Sequence, residues 1–211
     1  VTIGTNCGRH MTAVLTNMEE PLGLAVGNAL EVKEAINTLN GNGPMDLLDL
    51  CLEIGSYLLI DAKKFETKEE AKAAMLENIK NKKALGKLMD FVGAQGGNVE
   101  YIKNPELFAK AKEVIPVYAK TSGCVNHIDA LEIGHAAMIL GAGRETLEDK
   151  IDMAVGIVLN KKVGDMVKEG DVLCYIHTNG RNTEESIEKA FNAFKISDNV
   201  VESKLILDVI R

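Results

Sequence analysis

No stretch of this 211-residue chain is apolar for the length a bilayer demands, and no basic start leading into an apolar run marks a secretory leader, so neither insertion nor export is expected. A positive field is missing as well. The 24 basic residues are outnumbered by 31 acidic ones, for a formal net charge of -7, and the lysines are scattered, which argues against a nucleic-acid partner. Paired cysteines are also absent. Cys7, Cys51, Cys124 and Cys174 stand far apart, without the spacing of a zinc or redox motif, and read as reduced thiols of a cytoplasmic protein. There is no internal repeat and no low-complexity tract. Val1 is not an initiator methionine, and VTIGTNCGRHMTAVLTNM reads as a start in mid-fold, a short polar turn before a strand, so the chain is expected to be a fragment.

An apolar content of 46% is enough for one or two cores in a globular chain. Residues 9–15 alternate like a strand, and the turn at residues 40–44 stops a first helix. From Met45 to about Ile60, apolar residues recur at three- and four-residue spacing in a stripe suited to a largely buried helix. Thr67 with Glu70 forms a capping box opening the next helix, and Leu85, Leu88 and Phe91 continue the helical pattern. The character changes near Asn104-Pro105. Strand-like runs at 114–118 and 123–128 precede a helix over 130–140, strands at 156–159 and 172–177, a helix capped by Asn182 with Glu185, and a last strand at 203–210. These patterns predict a boundary there, with domains over 1–112 and 113–211, the first mostly helical and the second α+β.

Met18 to Leu39, MEEPLGLAVGNALEVKEAINTL, carries the most chemistry. Asn28 with Glu31 has capping-box logic, so a helix is expected from about Ala29. Upstream, residues 22–27 form an apolar, glycine-punctuated turn whose carbonyls must find a donor, water or a cation. Glu34, one to two turns beyond the cap, is placed to add a carboxylate to such a group of carbonyls.

The segments PLGLAVGNALEVKEAI, DALEIGHAAMILGAGRET and KIDMAVGIVLNKKVGDMVKEGDVL together resemble the pyrimidine-nucleoside phosphorylase and thymidine phosphorylase family, with this chain matching its C-terminal half. The resemblance implies an α/β phosphorylase domain, of which residues 1–112 are the helical remainder, followed by an α+β domain with a barrel-sandwich-like hairpin. It implies a cytoplasmic, homodimeric pentosyltransferase that converts a pyrimidine nucleoside and phosphate to free base and pentose 1-phosphate. The groups that hold phosphate and nucleoside would lie in the N-terminal half, so no catalytic or substrate-binding residue is assigned here and the chain alone is expected to be inactive. It further implies half of a potassium site, from the carbonyls of Leu22 and Ala25 and the carboxylate of Glu34.

Each motif has a plainer alternative. Without the resemblance, residues 22–34 are a helix-entry loop with one solvated glutamate, and the whole chain is a non-catalytic cation- or partner-binding module. VGDMVKEGDVL, residues 163–173, resembles the hairpin of biotinyl and lipoyl carrier domains, but no lysine follows from Val172 until Lys189, so no swinging arm can be attached at the next tip. Gly141-Ala142-Gly143-Arg144 reads as a helix C-cap with Gly141 left-handed. His10, His127, His135 and His177 lack ligand-like spacing. Asp46 with Asp49, and Glu184 with Glu185, are given no acid or base role; the latter pair lies in a helix first turn, where acidic residues favour the dipole.

Overall fold

The computed structural model describes residues 1–144 and 146–211. Helix α1 (Thr2–Asn6) precedes strands β1 (Ala13–Thr16) and β2 (Ala25–Val26), then helices α2 (Asn28–Leu39), α3 (Met45–Asp61), α4 (Lys68–Lys80), α5 (Lys83–Ala94) and α6 (Glu100–Lys103). Beyond them lie β3 (Glu113–Tyr118), β4 (Gly123–Ile128), α7 (Ala130–Ala137), β5 (Gly156–Leu159), β6 (Met166–Val167), β7 (Val172–Thr178), α8 (Thr183–Ala193), β8 (Phe194–Ser197) and β9 (Ile206–Ile210). Helices are thus mixed with small antiparallel sheets. The chain forms two interleaved compact units, one of Val1–Asn17, Ile36–Val99 and Lys204–Arg211, the other of Met18–Ala35 and Glu100–Ser203.

In the first unit β1 pairs antiparallel with β9, Ala13 opposite Ile210. The strand expected from Arg9 begins only at Ala13 because its partner ends at that register. The expected polar turn at the chain start is instead helix α1, closed by bonds from the Thr5 amide and hydroxyl to the Val1 carbonyl. Pro44, extended, introduces α3. Thr67 caps α4 as its sequence requires: its side chain accepts from the Glu70 amide and the Glu70 carboxylate reaches back to the Thr67 amide. The Glu53 carboxylate on α3 then clasps α4 through Lys68, at 2.6 Å, and Lys72. Helix α3 is less buried than its pattern suggests: Leu52, Ser56 and Tyr57 are covered, whereas Leu58 is 66% exposed. Packing by α4 covers only part of so wide a stripe.

In the second unit one sheet has the order β2-β5-β7-β3 and another the order β6-β4-β8. Both feed one core, where Val125 and Ile128 of β4 meet Ile157 of β5, Ile176 of β7 and Ile133 of α7, all buried. Burying five such side chains contributes on the order of 10 kcal/mol against the cost of ordering them. The expected hairpin at residues 163–173 is not one: β6 pairs with β4, and β7 lies between β5 and β3. Glycine turns at both ends of β6 let it leave one layer for the other, Gly164 at φ 96° and Gly170 at φ 90°. The Asn182 capping box is absent too. Asn182 stands left-handed at φ 45° and its side chain donates to the Ile139 carbonyl at 3.2 Å instead. Gly141, at φ 108°, ends the α7 region with the positive φ expected of it.

Candidate functional site

The loop over residues 18–27 is held by polar contacts within the second unit, some from distant parts of the chain and some from the helix that follows it. Its start is pinned when the Ala130 amide donates to the Glu19 carbonyl at 3.1 Å. The Glu20 carboxylate accepts from the Val163 amide at 3.0 Å and lies 3.4 Å from the Lys162 ammonium, which also donates to the carbonyls of Pro21 and, at 3.1 Å, Gly23. Both Lys162 and Glu20 are largely buried, with side chains 20% and 15% exposed.

Next the chain enters β2, and here Glu34 returns from α2 to meet it. One carboxylate oxygen accepts from both the Leu24 amide, at 2.9 Å, and the Ala25 amide, at 3.0 Å. The other oxygen lies against Gly23, where a Cβ would come within 2.3 Å of it, and Gly23 has φ +68°. Only glycine satisfies both demands. Strand register explains which backbone groups face Glu34. Leu159 donates to the Leu24 carbonyl at 2.7 Å, so the following pair, Ala25 with Val158, is of the kind whose amides and carbonyls turn away from the partner strand. The Ala25 amide does this in meeting Glu34. Its carbonyl therefore shares the same outer edge of the sheet, since β2 is the edge strand.

At the helix entrance Glu31 reaches back, but to the Gly27 amide, at 2.9 Å, and α2 begins at Asn28, one residue before the expected start. The Asn28 side chain donates to the Ala142 carbonyl at 2.8 Å. A cleft of about 200 Å³ opens beside this entrance, lined by Gly27, Asn28 and Glu31 on one wall and Gly134, Met138 and Gly143 on the other.

Of the residues singled out for a cation, the structure joins Ala25 and Glu34 directly. Leu22 lies in the same loop and is 39% exposed. The donor set is in character for a large monovalent cation: neutral carbonyls and one carboxylate, all hard oxygens. Among the described residues no group of three or more histidine, cysteine or acidic side chains has metal-binding proximity, so a centre of the zinc kind has no ligands there. Lys162 and Gly23 were not evident as site residues from the sequence. The only signals were a Lys161-Lys162 doublet ending an apolar strand and a glycine in the Pro-Leu-Gly turn.

His135 lies 3.4 Å from Glu132 on its own helix, and burial, with the Lys33 charge, lowers the pKa of His177. The segment where a carrier lysine would be sought is β7, paired on both sides, and Asn179, Gly180 and Arg181 follow it. No helix among the described residues is long and apolar enough to cross a membrane.

Residues 124–197 match the family described as the pyrimidine nucleoside phosphorylase C-terminal domain. Over 210 residues, all of this chain, it is 48% identical to a pyrimidine-nucleoside phosphorylase of Staphylococcus haemolyticus, and over 206 residues, 98% of the chain, 49% identical to that of Bacillus subtilis. That of Staphylococcus aureus is 47% identical over 210 residues. The chain spans about half the length of these relatives, 48% of each. Its residues 124–197 thus belong to the pyrimidine nucleoside phosphorylase C-terminal domain family, and its whole length corresponds to the C-terminal part of pyrimidine-nucleoside phosphorylases.

Proposed function

We propose that this chain serves an enzyme that cleaves a pyrimidine nucleoside with phosphate, giving free base and pentose 1-phosphate, and that its part is to support the phosphate side rather than to touch the reacting bond. Identity near one half over essentially the entire chain is the observation that carries this reading. In such a reaction the leaving base departs with negative charge from a ribosyl centre of cationic character, so rate comes from positioned phosphate and from hydrogen bonds to the base. The residues of this chain fix a loop. Glu34 binds two loop amides, Gly23 admits its carboxylate, and Ala25 turns a carbonyl to the same edge. Leu22, Ala25 and Glu34 would hold a potassium ion, whose fixed charge steadies that loop. The two sheets sharing one core are read as the barrel-sandwich element of the C-terminal domain.

The test is a chimera in which these 211 residues replace the matched segment of the Bacillus subtilis relative. It is expected to release uracil from uridine only when phosphate is present, whereas the 211 residues alone release none. Glu34→Gln in the chimera is expected to weaken apparent phosphate affinity several-fold, with partial recovery at high potassium. A folded chimera without phosphorolysis overturns the functional reading. Unchanged potassium dependence and phosphate kinetics in the variant remove the cation site.

A further inference from the structure

The Lys162 ammonium stands among oxygens of the kind a bound metal ion would choose. It donates to the Pro21 carbonyl and to the Gly23 carbonyl at 3.1 Å, and it lies 3.4 Å from the Glu20 carboxylate. The side chain is four-fifths buried, and Glu20 is held in turn by the Val163 amide at 3.0 Å. Two neutral carbonyls and one carboxylate repeat the composition of the set formed by Leu22, Ala25 and Glu34. The two sets also interleave along the chain: carbonyls 21 and 23 serve Lys162, carbonyl 24 serves Leu159, and those of 22 and 25 fall between and after them. An ammonium is close to a potassium ion in size and charge, and a largely buried donor on neutral acceptors forms strong, directed bonds.

We propose that Lys162 is a built-in cation: it fills an oxygen cage made by Pro21, Gly23 and Glu20, and so fixes the loop whose next amides, those of Leu24 and Ala25, donate to Glu34. The inference rests in part on the cation reading of Leu22, Ala25 and Glu34, but concerns a different set of oxygens. Lys162 is a positioning residue. It lies about 140 positions beyond the loop, so the tie couples the start of the second unit to its β5–β6 connection. An exogenous monovalent cation of suitable size should be able to take its place once the amine is removed, because the acceptors are prearranged by β5 and by the Val163 amide.

The experiment measures amide hydrogen exchange at Leu24 and Ala25 in the 211-residue chain, for wild type, Lys162→Ala and Lys162→Arg, in choline chloride, potassium chloride and methylammonium chloride of equal ionic strength. Removing a charged donor from shielded acceptors is expected to speed exchange about ten- to a hundredfold in choline for the alanine variant. Potassium and methylammonium should restore most of that protection, choline none, and the arginine variant should stay near wild type. A variant protected like wild type in choline, or one to which potassium and methylammonium return no more protection than choline does, overturns the proposal. A general folding defect would not respond to cation identity. The two readings stay separable: the Lys162 cage is judged by cation-specific rescue of the alanine variant in this chain, and the Glu34 set, of which this chain carries half, by the potassium dependence of the Glu34→Gln chimera.

Discussion

Replacing Gly23 by alanine tests the loop geometry most directly, because two costs coincide there and can be separated. The first is backbone strain. At φ +68° an L-residue pays about 1–2 kcal/mol relative to its preferred conformation. The second is steric, since the new Cβ would lie 2.3 Å from a Glu34 carboxylate oxygen, and the glutamate must withdraw. Withdrawal breaks the bonds at 2.9 and 3.0 Å to the Leu24 and Ala25 amides. Bonds to a charged acceptor are worth roughly 1.5–3 kcal/mol each when shielded, and because Glu34 is only half-buried and one oxygen serves both amides, about 2–3 kcal/mol for the pair is reasonable. Gly170→Ala is the control. Gly170 has φ +90° and nothing within 4 Å of its would-be Cβ, so it carries the strain without the clash. The two variants should therefore differ by about 2–3 kcal/mol, which is roughly thirty- to a hundred-and-fiftyfold in the exchange rate of the Leu24 and Ala25 amides. Equal exchange in both variants would refute the contact between Glu34 and this loop.

Two further perturbations address the rest of the chain. Burial raises the Glu53 pKa, but the hydrogen bonds from Lys68, Lys72 and Tyr57 outweigh it and hold the group at about 2, against an ordinary value of 4.5. A depressed carboxylate stabilises above its unfolded pKa and loses that contribution as pH falls from about 4.5 through 2. Glu53→Gln should thus lower the urea midpoint at pH 7 by an amount corresponding to about 2 kcal/mol, and the gap to wild type should narrow at pH 3. Thiol labelling of the native chain should modify exposed Cys7 first and Cys51 more slowly, because partial burial raises the Cys51 thiol. Buried Cys124 and Cys174, the latter pushed up to about 12 by burial, should react only after unfolding. Native labelling of Cys174 at the rate of Cys7 would contradict its burial.

What the sequence disclosed divides by the range of the interaction. Thr67 and Glu70 are three residues apart, so their reciprocal cap could be read locally and is formed. The helices at Met45–Asp61 and Lys83–Ala94 follow from apolar spacing in the same way. Asn182 carries the same kind of signal, yet the Ile139 carbonyl, 43 positions away, claims its side chain. The segment at 163–173 has hairpin turn residues, but its strands find better partners in β4, β3 and β5, whose registers have no local mark. In the candidate site, it is the family resemblance that singles out Glu34, and its short spacing from the turn agrees with that. Lys162 did not stand out: its acceptors are backbone oxygens 139 and 141 positions away, and backbone oxygens leave no trace in residue identity.

The four-stranded sheet has two exposed margins, and each is closed by a different means. At one margin the amide of Ala25 would be open to an arriving strand, but a side-chain carboxylate already occupies it. At the other, β3 carries Pro116 opposite Tyr175 and so presents one donor fewer along its length. A free sheet edge is a template on which a second chain can add itself. Glu34, whatever else it binds, therefore acts as a stopper on intermolecular strand growth, and losing it would leave the molecule more prone to join its own kind edge to edge.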